Sequence, residues 1–119
     1  MNWYLTKIVY QIICGRGSHT PQFDEQLRLI SANDEHEAFS KAQRIGVLEE
    51  ESFFNQQQQL VKWKFIDVCE LYKISELTDG AEMYSRIQEA DDADRFIEMV
   101  HSKAEYIQGD NVLRSLQLI

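Results

Sequence analysis

The sequence predicts an α+β fold, in which an antiparallel sheet of about four strands carries two helices on one face. Long aromatic and β-branched runs are typical of strands. Acidic residues precede two apolar stripes of helical period, and the order strand-strand-helix occurs twice. The length of 119 residues suits a single domain. We expect pseudo-repeats over about residues 1–47 and 60–109, followed by a C-terminal tail, 110–119.

The first predicted unit is a hairpin followed by a helix. Trp3–Cys14 is rich in aromatic and β-branched residues, and Phe23–Ser31 alternates between apolar and polar side chains. A glycine-rich turn separates them. Asp34 and Glu37 have the spacing of a capping box, which predicts the start of the helix. Gly46 is its predicted C-terminal stop.

The second predicted unit follows residues 47–59, for which we expect a loop with some helix. Leu60–Ile74 has the composition of a long strand. The Asp79-Gly80 turn predicts that Ala81–Gln88 returns as its partner strand. An apolar stripe of helical period then predicts a second helix, which begins at one of two adjacent aspartates and ends at Gly109.

An internal duplication accounts for the repeated order of elements. Arg28–Asp34 aligns with Arg86–Asp92, and Trp3-x-Leu5 aligns with Trp63-x-Phe65. In both long strands, the two alternating sets of side chains are apolar. Because two helices cover only one face of a sheet, the other face must meet a partner subunit, the C-terminal tail or a ligand.

Composition restricts the class of partner and the compartment. Twelve Lys and Arg against twenty Asp and Glu give a net charge of −8, which argues against broad nucleic-acid binding. No run approaches the roughly 20 apolar residues of a membrane helix, and no signal peptide follows Met1. We therefore expect a cytoplasmic protein without a cofactor. Cys14 and Cys69 are interpreted as reduced core thiols.

No residue pattern predicts a catalytic or metal site. The three histidines share no metal-ligand spacing, and the carboxylate clusters lie at predicted helix starts, where the helix dipole accounts for them. A nucleophile–base pair of Cys14 and His19 is disfavoured, because a buried strand thiol is inert. Lys7 and Asp67 are expected to pair across the sheet.

Short motifs spread along the chain, to about residue 100, carry a family resemblance. They are Trp3-Tyr4, Phe23, Glu25, Ile30, Ala32, Asp34, Glu37-Ala38, Lys41-Ala42, Trp63-x-Phe65, Val68, Leu71-Tyr72, Asp79-Gly80 and Glu82. Together they resemble a bacterial family known only as domain of unknown function 4288. Because that family has no assigned activity, the resemblance implies a bacterial protein but no function.

These observations predict a non-enzymatic protein-interaction module that acts as a homodimer, without nucleic acid or membrane. Two alternatives remain open. One is an acidic inhibitor or immunity-type protein for a basic protein partner. The other is a small-ligand-binding domain or enzyme, with a pocket lined by Trp3, Tyr4, Trp63 and Tyr72. The candidate interface or pocket residues are Trp3, Tyr4, Ile8, Tyr10, Trp63, Phe65, Tyr72, Leu116 and Ile119.

Overall fold

A computed structural model of the chain describes residues 1–109. The chain divides into two compact units, one over residues 1–85 and one that begins at residue 86. The antiparallel α+β prediction is confirmed, with one four-stranded sheet in the order β2-β1-β4-β3. The elements are β1 (Asn2–Cys14), β2 (Gln22–Ala32), α1 (Glu35–Leu48), β3 (Glu51–Phe54), β4 (Leu60–Ile74) and α2 (Ala93–Gln108).

The central strand β1 supplies much of the core beneath α1. It is bonded to β2 along one edge and to β4 along the other. The side chains of Tyr4, Ile8 and Tyr10 point to the same face and are fully buried against alanines of α1. The Tyr10 hydroxyl donates to the Gly46 carbonyl at 2.8 Å. This bond satisfies the one polar atom that the ring brings into the core.

Both helices begin where the capping patterns predict. The Asp34 side chain accepts a hydrogen bond from the backbone N–H of Glu37 at 2.8 Å. The Glu37 carboxylate reaches back to the N–H of Asn33 at 3.3 Å, which makes the box reciprocal with the residue before the cap. In the second unit, Asp92 is the N-cap of α2 and Gly109 is its C-cap.

Gly46 does not end α1, so the predicted stop is wrong. The helix continues to Leu48. The reason for glycine at position 46 is the close approach of the helix to β4. A Cβ there would lie 2.3 Å from Cε1 of Phe65. Gly46 therefore allows contact between the helix backbone and an aromatic ring, whereas any side chain would push the two apart.

A short strand forms where a loop with some helix was expected. Glu51–Phe54 is β3, which pairs with residues 60–63 of β4. Asn55 closes this hairpin, because its side-chain oxygen accepts the backbone N–H groups of Gln57 and Gln59, both at 2.9 Å. This turn is thus closed by an asparagine side chain and not by a glycine.

The predicted returning strand, Ala81–Gln88, is wrong, because this segment contains no strand. The Asp-Gly turn does form, with Gly80 at φ 83° and the N–H of residue 81 donating to the Thr78 carbonyl at 3.0 Å. However, Ser75–Leu77 separate the turn from β4, whereas a two-residue hairpin turn joins paired strands directly. The second pair of strands is β3–β4, so the predicted repeat units do not correspond to matched elements.

Two β-bulges interrupt the pairing of β4 with β1. Cys69 has no partner on β1, because Lys7 pairs with Glu70 and Ile8 with Val68. Ile66 likewise has no partner, because Val9 pairs with Asp67 and Tyr10 with Phe65. Cys69 is consequently exposed and Cys14 only half-buried, so the prediction of two core thiols is wrong. The bulges also change which residues share a face. The helix side of β4 carries Val61, Trp63, Phe65, Val68 and Leu71, and the opposite side carries Lys62, Lys64, Glu70, Tyr72 and Ile74. Asp67, between the two bulges, reaches Gln43 of α1.

Candidate interaction surface

The sheet face opposite α1, which we call the open face, is not uniformly covered. Its apolar side chains become more exposed towards β2, an edge strand of the sheet. Ile74 on β4 and Leu5 on β1 are 5% and 6% exposed, whereas Phe23, Leu27 and Leu29 on β2 are 57%, 51% and 42% exposed. We call these last three residues the β2 strip. The prediction that both long strands are apolar on both faces is wrong for β4, whose open side is mostly charged.

An ion pair lies at the centre of the open face. Lys7 Nζ is 2.6 Å from the Glu70 carboxylate and 3.6 Å from that of Glu25. Glu70 also accepts a hydrogen bond from the Tyr72 hydroxyl. The Tyr72 ring packs edge-on against Tyr84, with ring centroids 5.4 Å apart. The cluster thus joins the three long strands with the segment that follows β4.

These contacts shift the pKa values of the cluster. The hydrogen bond to Glu70 raises the pKa of Lys7, and the bonds from Lys7 and Tyr72 lower the pKa of Glu70. The hydrogen bond to Glu70 also raises the pKa of Tyr72 to about 12. The cluster is therefore an ion pair that stays charged at neutral pH and not an acid–base pair. Asp67, the expected partner of Lys7, instead accepts from Gln43 at 3.2 Å, because the Cys69 bulge brings Glu70 opposite Lys7.

A second charged network lies on the helix side of β2. Arg28 donates to both carboxylate oxygens of Glu49, at 2.9 and 3.0 Å, and to the Gln26 side-chain oxygen at 2.7 Å. Gln26 in turn donates to Asp24 at 2.7 Å, and Asp24 also accepts from the Trp63 indole N–H at 3.1 Å. The bond to Glu49 raises the pKa of Arg28, and the same bond lowers the pKa of Glu49. This network fixes the side chains of the outer strand.

The turn between β1 and β2 does not assemble Cys14 and His19 into a nucleophile–base pair. His19 Nε2 accepts from the backbone N–H of Cys14 at 3.0 Å, and Nδ1 lies 2.9 Å from the Thr20 carbonyl. Both ring nitrogens are thus occupied by the backbone, and the imidazole stabilises the turn. Within residues 1–109, no three His, Cys, Asp or Glu side chains converge as a metal site.

The predicted site residues are distributed over both faces of the sheet. Trp3 and Tyr72 lie on the open face, and Tyr4, Ile8, Tyr10, Trp63 and Phe65 lie on the helix side. The residues of the predicted pocket, Trp3, Tyr4, Trp63 and Tyr72, do not share one face, because the pleat directs Trp3 and Tyr72 to one side and Tyr4 and Trp63 to the other. Leu116 and Ile119 lie outside the described residues. The β2 strip was not among the predicted site residues, although its alternation is visible in the sequence.

Comparisons with known proteins identify a family for most of the chain. No curated protein matches the sequence, and no solved structure matches it. No helix among the described residues has both the length and the apolar character to cross a membrane. The family described as Domain of unknown function (DUF4288) matches residues 3–85, which is nearly the whole of the first compact unit. The match contains the sheet, α1 and the Lys7 cluster, and the chain therefore belongs to this family.

Proposed function

We propose that this chain is a non-enzymatic protein-interaction module that forms a homodimer through the β2 strip. The observation that carries the proposal is the exposure of Phe23, Leu27 and Leu29 on an edge strand, beside apolar side chains that are covered. Leu27 and Leu29 are successive residues on this face, and Glu25 separates them from Phe23. Large apolar side chains that adjoin one another on a surface mark an interaction site more often than isolated ones do. Trp3 continues the surface onto β1, at the position opposite Ser31.

The apolar free energy of the strip is enough for weak association. Full burial of such a side chain contributes about 1.5–3 kcal/mol, so burial of the exposed half contributes about 1 kcal/mol. A symmetric dimer that covered all three exposed halves in both copies would gain at most about 6 kcal/mol in total. Lost translational and rotational freedom costs at least about 4 kcal/mol. A stable dimer therefore needs polar pairing in addition to the strip.

The charges of the open face favour a second copy over a basic protein partner. An inhibitor that blocks a basic site must direct its carboxylates at that site. On this face, Glu25 and Glu70 both contact Lys7 of their own chain. A second copy requires no such free carboxylates, because it presents the same apolar strip.

Sedimentation velocity of the full chain, from low to high micromolar concentration, tests the proposal. We expect the average mass to rise towards that of a dimer. Leu27→Glu places a charge within the strip and should return the chain to a monomer. Ile66→Glu is the matched control, because Ile66 is 46% exposed but lies on β4, away from β2. A monomer at every concentration, or equal loss of association in both variants, contradicts the proposal.

A further inference from the structure

β2 is an edge strand whose outer side is open for pairing among the described residues. β2 has 11 residues and is bonded only to β1, so alternate backbone N–H and C=O groups point away from the sheet. Within residues 1–109, residues 22–30 make no backbone–backbone hydrogen bond outside the β1 ladder. At the opposite edge, the Glu50 carboxylate accepts the N–H of Phe65 at 2.8 Å and occupies β4 where β3 ends. The outer side of β4 beyond Phe65 also has no strand partner among the described residues, but the bulges at Ile66 and Cys69 break its regular spacing. β2, which pairs without a bulge, is therefore the regular open edge.

We infer that two copies of the chain pair β2 with β2 in antiparallel orientation about a two-fold axis at Gln26, which joins their sheets into one. This inference rests on the proposed self-association and names its geometry. A two-fold axis perpendicular to the sheet keeps like faces together. In an antiparallel pair such an axis passes midway between the two copies of one residue, and the side chains of opposite residues lie on the same face.

The charges of β2 select the register at Gln26. This register places Asp24 opposite Arg28 of the second copy, and the symmetry repeats that pair. A two-fold axis at Glu25 would instead bring two like carboxylates opposite each other, which destabilises an antiparallel pair. An axis at Leu27 would form no opposite-charge pair, because Asp24 would lie opposite Ile30 and Arg28 opposite Gln26. Of these three registers, only the one at Gln26 forms opposite-charge pairs, and the symmetry gives two of them.

Both members of the proposed pair retain hydrogen-bonding capacity. Asp24 uses Oδ2 for both of its contacts, with Gln26 and Trp63, so Oδ1 is available to a donor. Arg28 Nη1 donates one N–H to Glu49, and this nitrogen carries a second N–H. The network that orders these side chains therefore presents them to a second copy without the loss of an internal contact.

The same register pairs two of the three residues of the β2 strip with each other, and Leu27 falls opposite Glu25 of the second copy. On the open face, Phe23 falls opposite Leu29 of the second copy, and the symmetry again gives two such pairs. Aromatic side chains opposite aliphatic ones are favourable cross-strand neighbours. Backbone pairing, the Asp24–Arg28 pairs and the Phe23–Leu29 pairs thus favour one arrangement, and its occupant is a second copy because these pairs are complementary to themselves.

Cysteine cross-linking tests the register in a chain that also carries Cys14→Ser and Cys69→Ser. Residues at the two-fold axis have Cα atoms about 4.5–5.5 Å apart, which suits a disulfide. We therefore expect Gln26→Cys to form a covalent dimer on mild oxidation. Gln22→Cys is the matched control, because its two copies lie about 27 Å apart in this register. It should remain monomeric under denaturing electrophoresis.

A charge exchange tests the same register by a second measurement. Asp24→Arg should weaken dimerisation about tenfold, since it converts both opposite-charge pairs into like-charge pairs. The double variant with Asp24→Arg and Arg28→Asp should restore dimerisation. Circular dichroism checks that each variant is folded.

The outcomes separate the inference from the proposed function. A dimer in sedimentation without a Gln26 cross-link, or with equal cross-linking at position 22, overturns the β2 register and leaves self-association standing. A monomer at all concentrations overturns both. A cross-link at Gln26 together with restoration by the charge exchange supports the register.

Discussion

Replacement of Gly46 by alanine sets two free-energy terms against each other within α1. Alanine is more favourable than glycine in a helix interior by about 0.8–1 kcal/mol. However, its Cβ would lie 2.3 Å from Cε1 and 2.5 Å from Cδ1 of Phe65, so the ring or the helix must move. Such overpacking costs about 1–3 kcal/mol. We therefore expect Gly46→Ala to lower the free energy of unfolding by about 1 kcal/mol.

Urea denaturation followed by circular dichroism measures this change, and a second background isolates its cause. Phe65→Val removes the δ and ε carbons that obstruct position 46 and keeps a residue suited to a strand. In that background, Gly46→Ala should raise the free energy of unfolding by up to about 1 kcal/mol, because only the helix preference remains. The expected result is a change of sign between the two backgrounds. Stabilisation of the unaltered chain by alanine would refute the close-approach argument.

Three further changes test other contacts of the first unit. Tyr10→Phe deprives the Gly46 carbonyl of its donor and should lower the free energy of unfolding in urea by about 1–2 kcal/mol; an unchanged value would show that water replaces the hydroxyl. Asp34→Ala removes the N-cap acceptor of α1 and should lower the free energy of unfolding by about 1 kcal/mol in the same assay. Asp34→Asn keeps a side-chain oxygen at the cap and should retain most of that stability. Glu70→Gln removes the charge that raises the pKa of Tyr72 to about 12. The phenolate absorbance of Tyr72, obtained by subtracting the titration of a chain that also carries Tyr72→Phe, should then appear nearer pH 10.0. A titration that does not shift would contradict Glu70 as the cause of the raised pKa. Because the pKa of Glu70 is lower in the folded chain, its stabilisation is present above the unfolded pKa and is lost as pH falls through the folded pKa. Glu70→Gln should therefore lose less stability on acidification, as measured by urea midpoints at two pH values.

The elements that sequence predicted correctly are those with local signals. The caps Asp34 and Asp92 act on a backbone N–H three residues away, so their pattern lies within one helical turn. β3 was missed for the opposite reason. Glu51–Phe54 is short, and its hairpin depends on the Asn55 side chain and on Gln58 at φ 63°. Neither feature belongs to the glycine and proline signals by which such turns are recognised.

The candidate surface was predictable on β2 but not on β4. Alternation along β2 places Phe23, Leu27 and Leu29 on one side, and the structure keeps them there because this strand pairs without a bulge. Strict alternation fails on β4, where Ile66 and Cys69 lie outside the ladder. The apolar face expected over both long strands therefore contracts to the side of the sheet nearest β2. Bulges depend on the partner strand, so the sequence of β4 alone does not locate them.

The two bulges also have a consequence for chain length in other members of the family. Without Ile66 and Cys69, the residues of β4 from Val61 to Ile74 would alternate between the two faces without a break. Loss of either residue would leave every other pairing in place. Deletion of one residue within a strand ordinarily moves every side chain beyond it to the other face of the sheet. Deletion of Ile66 or Cys69 would instead remove the bulge at that position. We therefore expect relatives with a shorter β4 to differ from this chain at these positions and to keep the same core.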